Sequence, residues 1–275
     1  MLPTVDLHGH YLAGQEDSVE SYRQLAASPL VHRVVVCALD LKLPASIDFP
    51  FMSTFHGSNE QLEALVAQVD SPKIVPFCYV DPREKDAAGQ VEHWITKRHM
   101  RGVKLYPPQG WRPSDPCCIE VCRVIQDLGV PVLMHMGRVA SHPSLRSEFA
   151  RPIYLEDLGL ACPKLKLIIG HFAAPWSLEA VHIAMSFPQW AFDLTTSGHW
   201  DLHAIRHACG IPWDPGIERF VLGTDASGKN HLASQATIRK TLCDGGFSEE
   251  DIDLMFHYNG LRVLGEESPW PRKKT

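Results

Sequence analysis

The chain has 275 residues, 45% hydrophobic and 21% charged, an ordinary globular composition with length for one large domain or two small ones. A net charge of −6, with no basic patch interleaved with aromatics, argues against nucleic acid as a partner, and no apolar run reaches the ~20 residues of a membrane span. The eight cysteines form no Cys-x-x-Cys pair and no signal peptide precedes Asp6, so a reduced, cytoplasmic setting is expected.

The first strand is expected at Thr4–His8 and leads into Asp6-Leu7-His8-Gly9-His10. Side chains alternate with period two along a strand, which puts Asp6, His8 and His10 on one face. Two imidazoles so placed begin a metal site or are incidental; the pair alone does not decide. A helix over Ser18–Ala27 and a strand over Arg33–Leu39 follow, the latter containing the continuous apolar run Val34-Val35-Val36-Cys37. The loop Asp40–Gly57, carrying Pro44, Pro50, Phe49, Phe51 and Met52, is long enough to be a lid. Behind a Ser58-Asn59 cap, Leu62, Leu65, Val66 and Val69 recur at helical spacing over Asn59–Val69.

Strands at Lys73–Val80, Gly102–Tyr106, Pro131–Met136, Leu165–His171, Trp190–Leu194 and Phe220–Thr224 then alternate with helices. Those helices are expected at Glu92–Met100, Ile119–Leu128, Ile153–Leu160, Leu178–Ser186, Leu202–Ala208, Ala233–Cys243 and Glu249–Phe256. Nearly continuous apolar runs are what strands covered on both faces require. Eight such repeats without a linker predict an α/β fold, a single-domain (β/α)8 TIM barrel over residues 1–275. A doubly wound open sheet is the runner-up, disfavoured because no Gly-x-Gly-x-x-Gly follows the first strand.

The polar residues that interrupt these strands collect at their C-terminal ends, where barrel enzymes assemble their sites. His8 and His10 close strand 1, His135 strand 5, His171 strand 6 and Asp225 strand 8, while Lys104 lies in strand 4. A buried imidazole or charge costs free energy unless it is paired or coordinated. Either His135 or His171 alone reads equally well as a hydrogen-bonded core histidine. Several such groups at one rim call for one explanation, and a divalent metal supplies it: Zn2+ first, with Mn2+ or Fe2+ as alternatives.

This ordered set, together with Gly223-Thr224-Asp225 and the later Tyr258-Asn259-Gly260-Leu261-Arg262-Val263-Leu264-Gly265, resembles the amidohydrolase superfamily. Within it, the chain is most similar to the branch of aminocarboxymuconate-semialdehyde decarboxylase and related metal-dependent hydrolases. The resemblance implies one divalent metal held by His8, His10, His135 and Asp225, with a second metal possible. It also implies that Asp225 accepts the proton of the attacking water. His171 would either ligate a second metal or act as an acid or hydrogen-bond donor, and the decarboxylase relatives favour the catalytic role. For Lys104 three readings stand: a carboxylated bridge between metals, a pocket cation, or a structural lysine whose ammonium reaches solvent.

Asp6 and Asp193 are read either as partners that orient a ligand histidine or as members of lower barrel layers. Asn259 is expected to cap the last helix. Substrate contacts should come from the loops after the strands, with Lys104, Arg138 and Trp111 as leading candidates and Arg112, His142 and Trp176 nearby. An arginine there can grip a substrate carboxylate through paired hydrogen bonds. Phe51, Phe55 and Trp111 either wall the pocket or pack the loops.

The resulting expectation is a hydrolase acting on a small carboxylated ester, lactone or amide. A non-oxidative decarboxylase of an aromatic or dienoic acid is the alternative; such relatives tend to carry inserted segments that this chain has little room for. A non-catalytic metal-binding protein comes third. The expected partner is a small molecule, with no nucleic acid, no membrane and a homodimer possible.

Overall fold

A computed structural model describes residues 1–12, 19–42, 56–139, 143–195, 202–212 and 216–266. Eight parallel strands run in sequence order: β1 (Thr4–His10), β2 (Val31–Cys37), β3 (Ile74–Tyr79), β4 (Gly102–Leu105), β5 (Val132–Met134), β6 (Leu167–Ile169), β7 (Ala191–Leu194) and β8 (Phe220–Leu222). The ring closes between β8 and β1. There the His8 carbonyl accepts from the Thr224 and Asp225 amides at 3.1 and 2.6 Å, and the His10 amide donates to Ala226 O at 2.9 Å. The architecture is the expected (β/α)8 barrel.

The outer layer comprises α1 (Val19–Ala27), α2 (Asn59–Val69), α3 (Ala87–Thr96), α4 (Pro116–Asp127), α5 (Leu155–Ala161), α6 (Ser177–Ala184), α7 (Leu202–Cys209) and α8 (His231–Asp244). In α2 the Ser58 cap is real: its hydroxyl accepts the Gln61 amide, and the Gln61 side chain returns to the Ser58 amide. Leu62, Leu65 and Val69 bury the inner face of that helix, each gaining roughly 1.5–3 kcal/mol. The last helix differs from expectation. Glu249–Asp253 (α9) passes through a π-helical turn at Leu254–Tyr258 into Asn259–Leu264 (α10). Asn259 therefore lies inside continuous helix and caps nothing; its amide donates to Phe220 O at 2.7 Å and Ile217 O at 3.0 Å, tying α10 to the start of β8.

Two apolar regions hold the fold. One fills the barrel, with Leu7, Val35, Phe77, Leu133, Ile168 and Val221 among its members. The other lies between sheet and helices. Of the proposed lid, residues 43–55 lie outside the described residues; its flanks pair antiparallel, Leu39 with Gly57 and Asp40 with His56. Phe49, Phe51, Phe55 and His142 also lie outside the described residues. None of the eight cysteines is in a disulfide. Among the described residues, no helix is long and apolar enough to cross a membrane.

Candidate metal centre

The site begins with an irregularity in β1. Asp6 pairs with Val34 of β2 but Gly9 pairs with Val36, so β1 holds one more residue than its partner across this stretch. Such a bulge re-aims the side chains that follow it. Leu7 lies in the barrel interior, and His8 and His10 also point inward. Asp6 is left on the outer face, against His231 of α8. The expectation that Asp6 shares the face of His8 is thus corrected, because strict alternation does not survive the inserted residue.

Three basic atoms meet at the inner rim. His8 Nε2 and His10 Nε2 are 3.1 Å apart, and Asp225 Oδ1 lies 3.3 Å from the first and 3.1 Å from the second. Two donors on one tetrahedral zinc, each at ~2.1 Å, stand about 3.4 Å apart, so the spacing fits a single divalent ion. The ring orientations fit as well. Asp193 Oδ2 lies 2.8 Å from His8 Nδ1 and accepts its N–H, which leaves Nε2 with its lone pair toward the cluster. Asp193 Oδ1 accepts the His171 amide at 2.8 Å, so one buried carboxylate positions two rim histidines. Gly223 makes room for this pair: a Cβ there would lie 2.9 Å from His8 Cβ and 3.0 Å from Asp193 Cβ.

His135 and His171 form a second group. His171 Nε2 is 2.9 Å from His135 Nδ1, and His171 Nδ1 is 2.8 Å from Thr195 Oγ1. Among the described residues, His135 Nε2 is buried with no partner, as a nitrogen reserved for a ligand would be. One donor atom each from His8, His171 and Asp225 fits within 4.8 Å, so His171 also comes within range of the cluster. His171, Phe172 and Ala173 all have left-handed backbones, with φ of 56°, 48° and 51°. This conformation costs non-glycine residues roughly 1–2 kcal/mol each and is stored where the surroundings enforce it, often at functional sites.

Lys104 is fully buried, with Nζ 2.9 Å from His8 Nε2. The reading in which its ammonium reaches solvent is therefore overturned: β4 aims the side chain inward and the strands around it shut out water. Burial lowers its pKa, opposed by Asp225 and Asp193. Burial likewise pushes the Cys37 thiol up to about 12, so Cys37 stays neutral.

Trp111 is buried in the layer between sheet and helices, its indole N–H without a partner among the described residues. Arg138 is exposed just past the rim, its amide donating to Ala174 O at 2.7 Å. Arg112 stacks on Phe149 and Tyr154, and Arg151 stacks on Trp176. Thr195 and His231 join the site from outside the set that the sequence points to. Nothing in their local spacing marks them; their partners come from other strands.

Burial dominates the protonation of the rim. It lowers the pKa of His8, His10, His135 and His171, for His8 with further help from Lys104. All four are neutral near pH 7, the form that binds metal. Burial would raise the Asp225 carboxyl, but the surrounding histidines outweigh it and hold it well below the usual carboxylate range. Its side chain is still 23% exposed, so it can meet water or substrate. Burial raises Asp193 to about 6.

These directions predict acid lability of the metal-free protein. Each rim histidine titrates below its unfolded value of about 6.5, so unfolding takes up protons once the pH falls below that value. Each contributes at most about 1.4 kcal/mol of lost stability per pH unit. Asp193 acts oppositely. Its folded value of about 6 lies above the unfolded one, so the native state gains a proton there and offsets one histidine. Melting temperatures of chelator-treated protein should fall steeply between about pH 6.5 and about pH 5. A flat profile would show that the rim histidines are not held neutral.

A family model described as amidohydrolase matches residues 5–265. A search by sequence among curated proteins gives no match. Solved structures share the fold. A TIM-barrel protein of Bordetella bronchiseptica superposes with a TM-score of 0.66 at 18% identity, over 88% of this chain and 80% of that one. A probable 2-pyrone-4,6-dicarboxylic acid hydrolase of Acinetobacter baumannii, with citric acid bound, gives 0.62 at 14% identity, over 96% and 99%. The 2,6-dihydroxybenzoate decarboxylase from Rhizobium gives 0.61 at 11% identity, over 96% and 99%.

Proposed function

The chain belongs to the amidohydrolase family of metal-dependent enzymes, and we propose that it is a hydrolase acting on a small carboxylated ester, lactone or amide. The observation that carries this reading is the state of the two groups assigned to handle protons at the rim, Asp225 and His171. Asp225 is held ionised, and four histidines are held neutral. Hydrolysis needs a group that takes a proton from water, which such a rim supplies. Decarboxylation ends with a proton delivered to carbon, for which neutral imidazoles are poor donors.

In this reading His8, His10 and Asp225 hold the metal, and His135 supplies the fourth donor through Nε2. A divalent ion there contributes Lewis acidity, raising the acidity of water and polarising a substrate carbonyl. Zinc suits imidazole and carboxylate donors, with manganese or iron next. Asp193 fixes the tautomer of His8. Asp225, partly open to the pocket, accepts the proton of the attacking water. His171 acts as a neutral donor to the reacting oxygen in the tautomer that carries its proton on Nε2, with Nδ1 accepting from the Thr195 hydroxyl and the contact with His135, whose own proton sits on Nδ1, given up. Arg138, exposed just past the rim, would pair with a substrate carboxylate. Lys104 faces the same space as a pocket cation. The citric acid in the Acinetobacter structure, a polycarboxylate, supports a carboxylated substrate here.

The test is a panel of carboxylated esters, lactones and amides offered to purified, metal-loaded protein, with carbon dioxide release from carboxylated aromatics followed in parallel. Hydrolysis of at least one class is expected. Carbon dioxide release without hydrolysis would replace this reading with the decarboxylase one. The Rhizobium neighbour shows that the same fold can house that reaction.

A further inference from the structure

The proposed ligands straddle the barrel's closing seam: His8 and His10 lie on β1, and Asp225 follows β8. Their spacing therefore depends on how those two strands are aligned. Across the seam the backbone offers a few hydrogen bonds, clustered at the rim.

A buried side-chain network lies on the outer side of this seam. Asp6 Oδ1 accepts the amides of His8 and Thr224, both at 3.1 Å, one from each side of the closure. Asp6 Oδ2 accepts the Thr224 hydroxyl at 2.6 Å and His231 Nδ1–H at 2.9 Å. A carboxylate can only accept, so the imidazole proton sits on Nδ1. His231, the first residue of α8, is fully buried, and its ring occupies the space above Gly9: a Cβ on Gly9 would lie 2.3 Å from His231 Cε1. Gly9 separates the two proposed ligand histidines. On the same outer face, Tyr22 of α1 donates to His10 O at 2.8 Å.

Among the described residues, His231 Nε2 is buried without a partner. A leucine would fill similar space without that unpaired nitrogen. What the histidine adds is its Nδ1–H on Asp6. We propose that His231 is a positioning residue for the metal centre. Through Asp6 and Thr224 it locks the β1–β8 seam in the register that brings His8, His10 and Asp225 to ligand spacing. This inference rests on the metal-centre reading above.

The experiment titrates zinc into chelator-stripped protein against a chromogenic competitor, for wild type, His231→Asn, His231→Leu and the surface control His207→Ala. Circular dichroism confirms folding in each case. Asparagine keeps an N–H donor near the position of Nδ1, while leucine keeps the volume. Expected are a zinc affinity close to wild type for His231→Asn and His207→Ala, and a roughly 10–100-fold loss for His231→Leu. A purely space-filling role would reverse that order. If His231→Leu fails to fold, Thr224→Val removes the other side-chain donor to Asp6 Oδ2 and should show the same loss. Wild-type zinc affinity in the folded leucine or valine variant, or equal losses in the asparagine and leucine variants, would overturn the inference alone. Failure of the wild type to bind zinc would overturn the metal-centre reading, and the inference with it.

Discussion

Asp225→Ala is expected to remove both bound metal and turnover. Among the described residues, Asp225 Oδ1 is the one carboxylate oxygen in contact with both His8 Nε2 and His10 Nε2, so its loss leaves only the neutral imidazoles of His8, His10 and His135 to hold a dication. Outer-shell substitutions already weaken metal sites roughly 10–100-fold, and loss of a charged ligand should exceed that. Loss of the group that accepts the water proton adds a factor of about 10²–10⁴. Metal content measured on the purified variant, alongside activity at saturating metal, separates the two effects. The apo variant should remain folded, because the carboxylate is partly exposed and the barrel core lies beneath it. Full metal occupancy in Asp225→Ala would remove this residue from the ligand set.

His171→Ala is expected to behave differently. In the reading favoured here, His171 touches the reacting oxygen while His8, His10, His135 and Asp225 hold the ion. Turnover should then fall about 10²–10³-fold, the usual loss for a hydrogen-bond donor to developing negative charge, with metal content near wild type. His135→Ala, in contrast, should lose metal. The structure makes this comparison informative, because His171 also lies within ligand range of His8 and Asp225. Equal metal loss in both variants would make His171 a ligand and point to a dinuclear centre, with Lys104 between the two groups. A change in His171 also disturbs Thr195 and His135, so thermal melts of both apo variants should accompany the assay.

Much of the fold was legible because its cause is local. Parallel strands covered on both faces must be apolar throughout, and the chain repeats such runs eight times between amphipathic helices. Boundaries moved by a few residues. The strand expected over Leu165–His171 is Leu167–Ile169, since the backbone turns left-handed at His171 and leaves the sheet. Phe172 and Ala173 give no hint of that turn, because neither residue type favours it. Asn259 misled for a related reason: a residue that can cap a helix instead bonds to carbonyls beside the barrel floor.

The sequence by itself determined the barrel and which imidazole and carboxylate residues stand at the ends of its strands. These follow from short-range patterns, apolar periodicity and polar residues at strand ends. Only the tertiary structure decided which of those groups meet. A one-residue bulge in β1 turned Asp6 away from His8 and left Asp193, far along the chain, to orient that ring. Enclosure by neighbouring strands settled that Lys104 faces the cluster, and closure of the barrel brought Asp225 against the two histidines near the other end of the chain. The physical reason is common to all three. Register and closure are set by hydrogen bonds and packing between distant segments, and no window along the chain contains both partners.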